Sequence, residues 1–382
     1  MAERALVTGG AGFIGSFIVD ALLADGWQVT VLDTLEPQVH GATTSAPTYL
    51  NRDAEFVRGD IRDRDLVGRL LDRTDVVFHE AALVGVGQSM YDIERYVAGN
   101  SLATATFLEM VVARRDRIRK MIVASSMSCY GEGLYVDQRG QPVNVRPRSR
   151  AQLERREWEL RGADGVELTP RPTNEDKPLA PTSVYAVTKR DHEELFLSIG
   201  AAYHIPTVAL RYFNVFGPRQ ALSNPYTGVA AIFSSRLLNG AAPVVFEDGC
   251  QSRDFVHATD VARMNVLAAT RDSADYQVVN VGGGRRVTVG EIAEALWRRI
   301  SGKDETRPSY LGQFREGDIR HCFSDITRAR TLLGYEPRVA FDQGLEELIE
   351  WVAGQQAPDG FERAHRELVE RGLVAGTTAV RS

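Results

Sequence analysis

Ala5-Leu-Val-Thr-Gly-Gly-Ala-Gly-Phe-Ile-Gly15 is a short apolar run that breaks into glycines and then resumes as an apolar helical pattern. That change of period reads as strand, tight turn and helix. Gly9, Gly12 and Gly15 suit, in turn, a bend at positive φ, a backbone lying close to a ligand, and a helix packed tightly on its strand. Phe13 and Ile14 stand at the opening of that helix, where unpaired N–H groups and the helix dipole favour a pyrophosphate.

Downstream, Trp27-Gln-Val-Thr-Val-Leu-Asp33 reads as a second strand ending in a carboxylate, about twenty residues on, placed to grip a ribose hydroxyl. The charge of Asp33 would repel a 2′-phosphate, which selects NAD over NADP. Glu55-Phe-Val-Arg-Gly-Asp60-Ile61 and Asp75-Val-Val-Phe-His-Glu-Ala81-Ala82 read as further strands, as do Arg119 to Ser126 and Thr207 to Asn214. Helical periodicity covers Asp92 to Val112, with Asn100 inside it, and resumes at Ser183. Strands alternating with helices predict an α/β protein, a Rossmann-like doubly wound parallel sheet. The expected division is a dinucleotide-binding domain over 1–182, a helix and strand completing it over 183–213, mainly a smaller α/β substrate lobe over 214–355, and a C-terminal helix and tail over 356–382.

The pattern is interrupted from Glu132 to Pro172, where Arg139, Arg146, Arg148, Arg150, Arg155, Arg156 and Arg161 stand among Gly, Pro and polar residues. This reads as a surface insertion, solvated and partly helical; a basic flap over an anionic substrate, or a subunit contact, is the sharper alternative. Trp158 indicates that part of it packs.

With 382 residues, 43% hydrophobic and 25% charged, the chain has the composition of an ordinary soluble globular protein, long enough for one large domain or two moderate ones. A net charge of −6 speaks against general binding of nucleic acid or an anionic membrane, so an anionic substrate must be met by particular arginines. Cys129, Cys250 and Cys322 lack metal-type spacing and cannot all pair, which predicts no metal site and a reducing compartment. Without a leader pattern or a long apolar run, the expected location is the cytoplasm.

Tyr185-Ala-Val-Thr-Lys189 opens a helical pattern, and a spacing of four puts both side chains on one helix face. An ammonium beside a phenol, with the positive ring of oxidised NAD, lowers the cost of the phenolate and makes Tyr185 a base for an alcohol proton. Ser126, ending its strand, supplies a hydroxyl to share that proton.

Glycine loop, Asp-ended strand, Ser-bearing strand and Tyr-x-x-x-Lys, in this order, resemble the extended branch of the short-chain dehydrogenase/reductase superfamily, which acts on nucleotide sugars. The resemblance runs from about Arg4 to about Ala353, apart from the insertion. It implies Ser126, Tyr185 and Lys189 as catalytic residues, with Tyr185 and Lys189 also touching NAD. It further implies Asp60 and Ile61 beside the adenine, Ala81 and Ala82 along the phosphate and ribose path, and Asn100 near the nicotinamide. In the second lobe it implies Asn214, Arg253 and Arg315 at a diphosphate, Phe246 near the base, Asp318 on the nucleotide's ribose, Val229 in the substrate pocket and Ser128 on a sugar hydroxyl.

The superfamily's 4,6-dehydratases carry an Asp-Glu pair directly after the catalytic hydroxyl, where this chain has Met127-Ser128. The chain is therefore more similar to hexose 4-epimerases. The run Ser223 to Phe233 and the insertion after Tyr130 are most similar to dTDP-L-rhamnose 4-epimerases and enzymes of the UDP-glucose 4-epimerase type. The resemblance implies NAD-dependent inversion of C4 in a dTDP- or UDP-hexose through a transient 4-keto intermediate, with no net redox change. A dehydratase, reductase or decarboxylase of the same fold, or an epimerase acting at another carbon, is the alternative; the catalytic trio argues against a protein that only senses NAD. Relatives of this arrangement pair helices as a four-helix bundle, which implies a homodimer through Leu102–Val111 and Asp191–Ile199.

Overall fold

The computed structural model describes residues 2–222, 228–315, 317–355 and 361–375. Seven parallel strands form the central sheet: β1 (Arg4–Thr8), β2 (Gln28–Asp33), β3 (Glu55–Arg58), β4 (Val76–His79), β5 (Lys120–Ser126), β6 (Thr207–Tyr212) and β7 (Val278–Val281). Their spatial order is β7-β6-β5-β4-β1-β2-β3. The order reverses at β1, so the carboxyl ends of β1 and β4 border the crevice where ligands of such sheets bind.

The longer helices are α1 (Phe13–Ala24), α2 (Arg64–Leu71), α3 (Ala103–Val112), α4 (Val184–Tyr203), α5 (Val229–Leu238), α6 (Ala258–Thr270), α7 (Val289–Ile300), α8 (Phe341–Ala353) and α9 (Phe361–Glu370). One sheet face is covered by α1 and α6, where Ile18, Val19 and Leu22 share a core with Val261, Met264 and Ala268. On the other face α2, α3 and α4 bury Val67, Leu70, Phe107, Leu108 and Phe196. Each of the larger of these side chains contributes about 1.5–3 kcal/mol by leaving water.

Residues 183–213 add α4 and β6 to this domain, and part of 214–355 belongs to it as well. The chain leaves for the second lobe and then returns, laying α6 on α1 and adding β7 beside β6. Val278-Val-Asn-Val281 is too short an apolar run for its sequence to say which layer takes it. The second lobe has its own core, built from Phe233 and Leu237 of α5, Ile292 and Leu296 of α7, and Leu345 and Leu348 of α8.

The helical pattern from Asp92 is three pieces rather than one: Ile93–Tyr96, a π-helical turn Val97–Leu102, and α3. The wider turn carries Asn100, whose amide is buried; Oδ1 accepts from the Leu83 N–H at 2.7 Å, and Nδ2 donates to the Leu83 carbonyl and to Thr188 Oγ1. A widened turn of this kind is common where a helix serves a site.

The insertion is not simply solvated. Leu134–Val136, Pro142–Val143 and Thr169–Arg171 make a small antiparallel sheet over Tyr135, Leu160 and Leu168. Arg148 is buried, 2.9 Å from Glu247 of the second lobe, and donates to the Asp318 carbonyl at 3.0 Å. Arg150, Arg155 and Arg161 pair with Glu154, Glu157 and Glu167 at the surface, and Arg139, Arg146 and Arg156 are exposed. Residues 223–227, the first part of the run Ser223 to Phe233, and the tail from Thr377 lie outside the described residues.

Candidate active site

Gly9 sits at φ 71°, and a Cβ there would lie 2.7 Å from the Ala81 N. A Cβ on Gly15 would strike the Gly9 carbonyl oxygen, so only glycine lets α1 approach the loop this closely. Gly12 is the N-cap residue of α1 and offers no side-chain cap, leaving the helix-opening N–H groups for a ligand. Asp33 ends β2 with both oxygens anchored: the Ala11 N–H donates to one at 3.1 Å and the Leu35 N–H to the other at 2.9 Å. Its remaining lone pairs face a cleft of about 1050 Å³, which Gly9, Gly12, Phe13, Ile14, Gly15, Asp60, Ile61, Ala81 and Ala82 also line. The uncapped helix end, the glycine cradle and the carboxylate at the end of β2 together fit an NAD molecule.

Asp60 is engaged on both oxygens by Arg62, whose guanidinium holds the carboxyl below its ordinary range against the opposing cost of burial. Asn100 does not line the cleft; its amide props the backbone of Leu83, which does.

Ser126, Tyr185 and Lys189 line the same cleft. Ser126 is the last residue of β5, at the carboxyl edge of the sheet. Ser183 accepts from the Ala186 N–H at 3.1 Å and so starts α4, which places Tyr185 in its first turn and Lys189 one turn on. Ser128 donates to Ser126 Oγ twice, through its N–H at 3.1 Å and its hydroxyl at 2.8 Å. Burial raises the Tyr185 phenol well above its ordinary range, and a hydrogen bond with Ser126 opposes that rise. The Lys189 ammonium donates to the Ala124 carbonyl at 2.7 Å. Burial depresses it to about 8, against the raising charge of Glu80.

Glu80 escaped the reading of the sequence. It follows β4, lines the cleft, and accepts from the Tyr212 hydroxyl at 2.9 Å, which in turn accepts from Asn265 at 2.8 Å. Burial pushes its carboxyl up to about 7, with Lys189 opposing. The available signal was a charged residue at the carboxyl end of a parallel strand.

In the second lobe Asn214, Val229, Phe246, Arg253, Arg315 and Asp318 all line the cleft. Asn214 Oδ1 is buried without a hydrogen-bond partner among the described residues. Arg253 donates to the carbonyls of Ser252, Arg320 and Ile319 and lies 3.3 Å from Asp318. Its terminal nitrogens are thus largely engaged, and it stands as a fixed positive charge. Arg315 is the more available cation: half-exposed, 4.5 Å above the Phe246 ring and 3.7 Å from Asp318. The C-terminal helix α9, expected only as helix and tail, adds Phe361, Ala364, His365 and Leu368 to this end of the cleft. Val374–Ala375 pairs antiparallel with Phe314–Arg315. Among the described residues no group of three His, Cys, Asp or Glu side chains is placed to hold a metal ion, and no helix is long and apolar enough to cross a membrane.

Comparison with known proteins agrees with this geometry. The chain is 33% identical over 353 residues to dTDP-L-rhamnose 4-epimerase of Burkholderia thailandensis, covering 92% of this chain and 95% of that one. It is 34% identical to UDP-glucose 4-epimerase of Mycolicibacterium smegmatis over 352 residues, 91% of this chain and 98% of that one. Among solved structures, the UDP-glucose 4-epimerase of Thermotoga maritima with UDP-glucose superposes with a TM-score of 0.73 at 32% identity, covering 92% of this chain and 98% of that one. Residues 5–152 and 162–282 match the family described as NAD dependent epimerase/dehydratase. The chain belongs to the NAD dependent epimerase/dehydratase family.

Proposed function

We propose that the chain is an NAD-dependent isomerase that inverts C4 of a nucleoside-diphosphate hexose, a dTDP- or UDP-sugar, through a transient 4-ketone. The observation that carries this reading is the meeting of Ser126, Tyr185 and Lys189 with the glycine loop in one cleft, with Met127-Ser128 directly after the catalytic hydroxyl. Neither Met127 nor Ser128 supplies the acid and base that water elimination needs. Tyr185, relayed by Ser126, takes the proton of the C4 hydroxyl, and Lys189 supplies the positive charge that stabilises the phenolate. Bound NAD supplies the electron-pair acceptor for that oxidation and the donor for reduction of the ketone on its other face. Arg253 and Arg315 hold the diphosphate while the sugar turns, the Asn214 amide nitrogen donates to it, Asp318 takes the nucleotide's ribose, and Ser128 a sugar hydroxyl.

The same reading includes a homodimer in the cytoplasm. Most apolar residues of Leu102–Val111 and Asp191–Ile199 turn to the sheet, but Val97, Leu102 and Val187 stay 43%, 58% and 45% exposed on the adjoining turns and support pairing of these helices between two copies. Three free cysteines support a reducing compartment.

The test is incubation, without added reductant, with UDP-, dTDP-, CDP- and GDP-hexoses deuterated at C4, with products read by NMR. The expected result is one inverted hexose that keeps its label. Loss of the label to water, or no inverted product from any sugar, would overturn the reading.

A further inference from the structure

Behind the cleft a line of buried polar side chains runs from Lys189 to the start of the glycine loop. Lys189 Nζ lies 3.5 Å from His192 Nδ1; His192 Nε2 is 3.0 Å from Thr104 Oγ1; Thr104 Oγ1 is 3.1 Å from His79 Nε2; and His79 Nδ1 is 3.0 Å from Thr8 Oγ1. Lys189 is 4% exposed and the other four are fully buried. They come from α4, α3, β4 and β1, and Thr8 immediately precedes Gly9. His192, Thr104 and His79 do not line the cleft, so they are not placed to touch substrate or cofactor.

We propose that His192, Thr104 and His79 are positioning residues for Lys189, forming a one-way hydrogen-bond chain that ties the catalytic ammonium to the end of β1. The proposal rests on Lys189 being the charged partner of Tyr185.

The direction follows from donor and acceptor counting. An ammonium has only donors, and a neutral imidazole has one of each. At 3.5 Å the first contact is long for a hydrogen bond, but two N–H groups cannot face each other there, so His192 Nδ1 is bare and its proton sits on Nε2. Burial, then the charges of Lys189 and His79, keep His192 neutral, and burial holds His79 neutral by pushing it down to about 3. Thr104 therefore receives from His192 Nε2 and gives its own proton to His79 Nε2. That leaves the His79 proton on Nδ1, donated to Thr8. The two histidines are fixed as opposite tautomers by one cation.

The consequence for catalysis is geometric. The Ala124 carbonyl and His192 Nδ1 take two of the three directions of the ammonium, and the third is left for the cleft, where Tyr185 and Glu80 stand. A long lysine side chain is otherwise free to rotate away from the phenolate it must stabilise.

Nitrogen-15 NMR of histidine-labelled, NAD-loaded protein should show His192 protonated at Nε2 and His79 at Nδ1. In Lys189→Met, His192 should lose that fixed assignment. The same tautomer on both rings in the unaltered protein would overturn the chain, and that reading needs no turnover, so it stands apart from any failure of the epimerase assignment. In kinetics, His192→Asn keeps an oxygen near the Nδ1 position and should hold kcat near that of the parent. His192→Gln keeps only the link to Thr104 and should lower kcat about tenfold, the worth of one charge-assisted hydrogen bond, with KM for the nucleotide sugar unchanged. Equal kcat in the two variants would also overturn it. Should either fold poorly, Thr104→Val keeps the side-chain shape and should release the His79 tautomer while His192 keeps its own; two unchanged tautomers in that variant count against the chain.

Discussion

Opposite charges meet in the cleft beside Tyr185, where burial lifts Glu80 to about 7 and depresses Lys189 to about 8 while each partly offsets the other. Under the proposed mechanism Lys189 must stay protonated to stabilise a phenolate, so turnover should fall as pH rises through its titration. Glu80 raises that titration, and Glu80→Gln removes its charge; the alkaline limb of the kcat profile should then move to lower pH. A limb that stays in place would show that Glu80 does not reach Lys189. Glu80 also makes folding depend on pH. Its folded value lies above its unfolded one, so stability from this group is present below the unfolded value and is lost as pH rises towards about 7, a loss that the Gln variant should not show in thermal melts. Tyr185→Phe keeps the ring and removes the proton acceptor; turnover should fall by about 10²–10⁴ while NAD stays bound, and wild-type rates would take Tyr185 out of the mechanism. Tyr185 and Lys189 were legible because four residues make one helical turn. Glu80 was not: its partner Tyr212 lies 132 residues away, and only the fold brings them together.

The insertion shows what an element's composition can and cannot tell. Arginines in a Gly- and Pro-containing stretch read as solvated, and those pairing with Glu154, Glu157 and Glu167 are. Arg148 differs in what faces it: besides the Trp158 carbonyl of the insertion, Glu247 and the Asp318 carbonyl, both brought by the second lobe. Burial of Arg148 and Glu247 side chains to 1% exposure makes their pairing costly to break from one side. Arg320 remains 3.0 Å from Glu247, so Arg148→Ala should cost about 3 kcal/mol, the low end for a broken buried pair. Because Glu247 follows Phe246 and Arg148 holds the Asp318 carbonyl, the same variant should raise KM for the nucleotide sugar and leave NAD affinity unchanged. Calorimetry of both ligands separates this from general unfolding, which would weaken both together. The glycine loop was legible for the opposite reason, since its demands on φ and close approach are met within a dozen residues.

At the scale of the molecule, the cleft is closed by pieces far apart in the chain. The parallel sheet and its first six strands were readable from alternating periods, but the return of α6 and β7 after the second lobe was not, because nothing in a short apolar run names its neighbours. The same holds for α9. Leu368 packs with Phe246 and Val374, the Tyr91 hydroxyl donates to Glu367 at 2.9 Å, and the Arg371 guanidinium lies 4.2 Å from the Tyr91 ring. This segment therefore bridges residue 91, on the dinucleotide side, to the strand carrying Arg315. Leu368 is 7% exposed, and its truncation to Ala removes the apolar contact on which the bridge turns; fully buried leucines cost about 2–5 kcal/mol when so truncated. The loss should be local, because α9 shares its small core with Phe246 and Val374 rather than with the central sheet. Leu368→Ala should thus raise KM for the nucleotide sugar several-fold, with NAD affinity and kcat near those of the parent. Parallel loss of NAD binding would mean that α9 supports the whole fold, and an unchanged KM would mean that Arg315 and Phe246 keep their places without it.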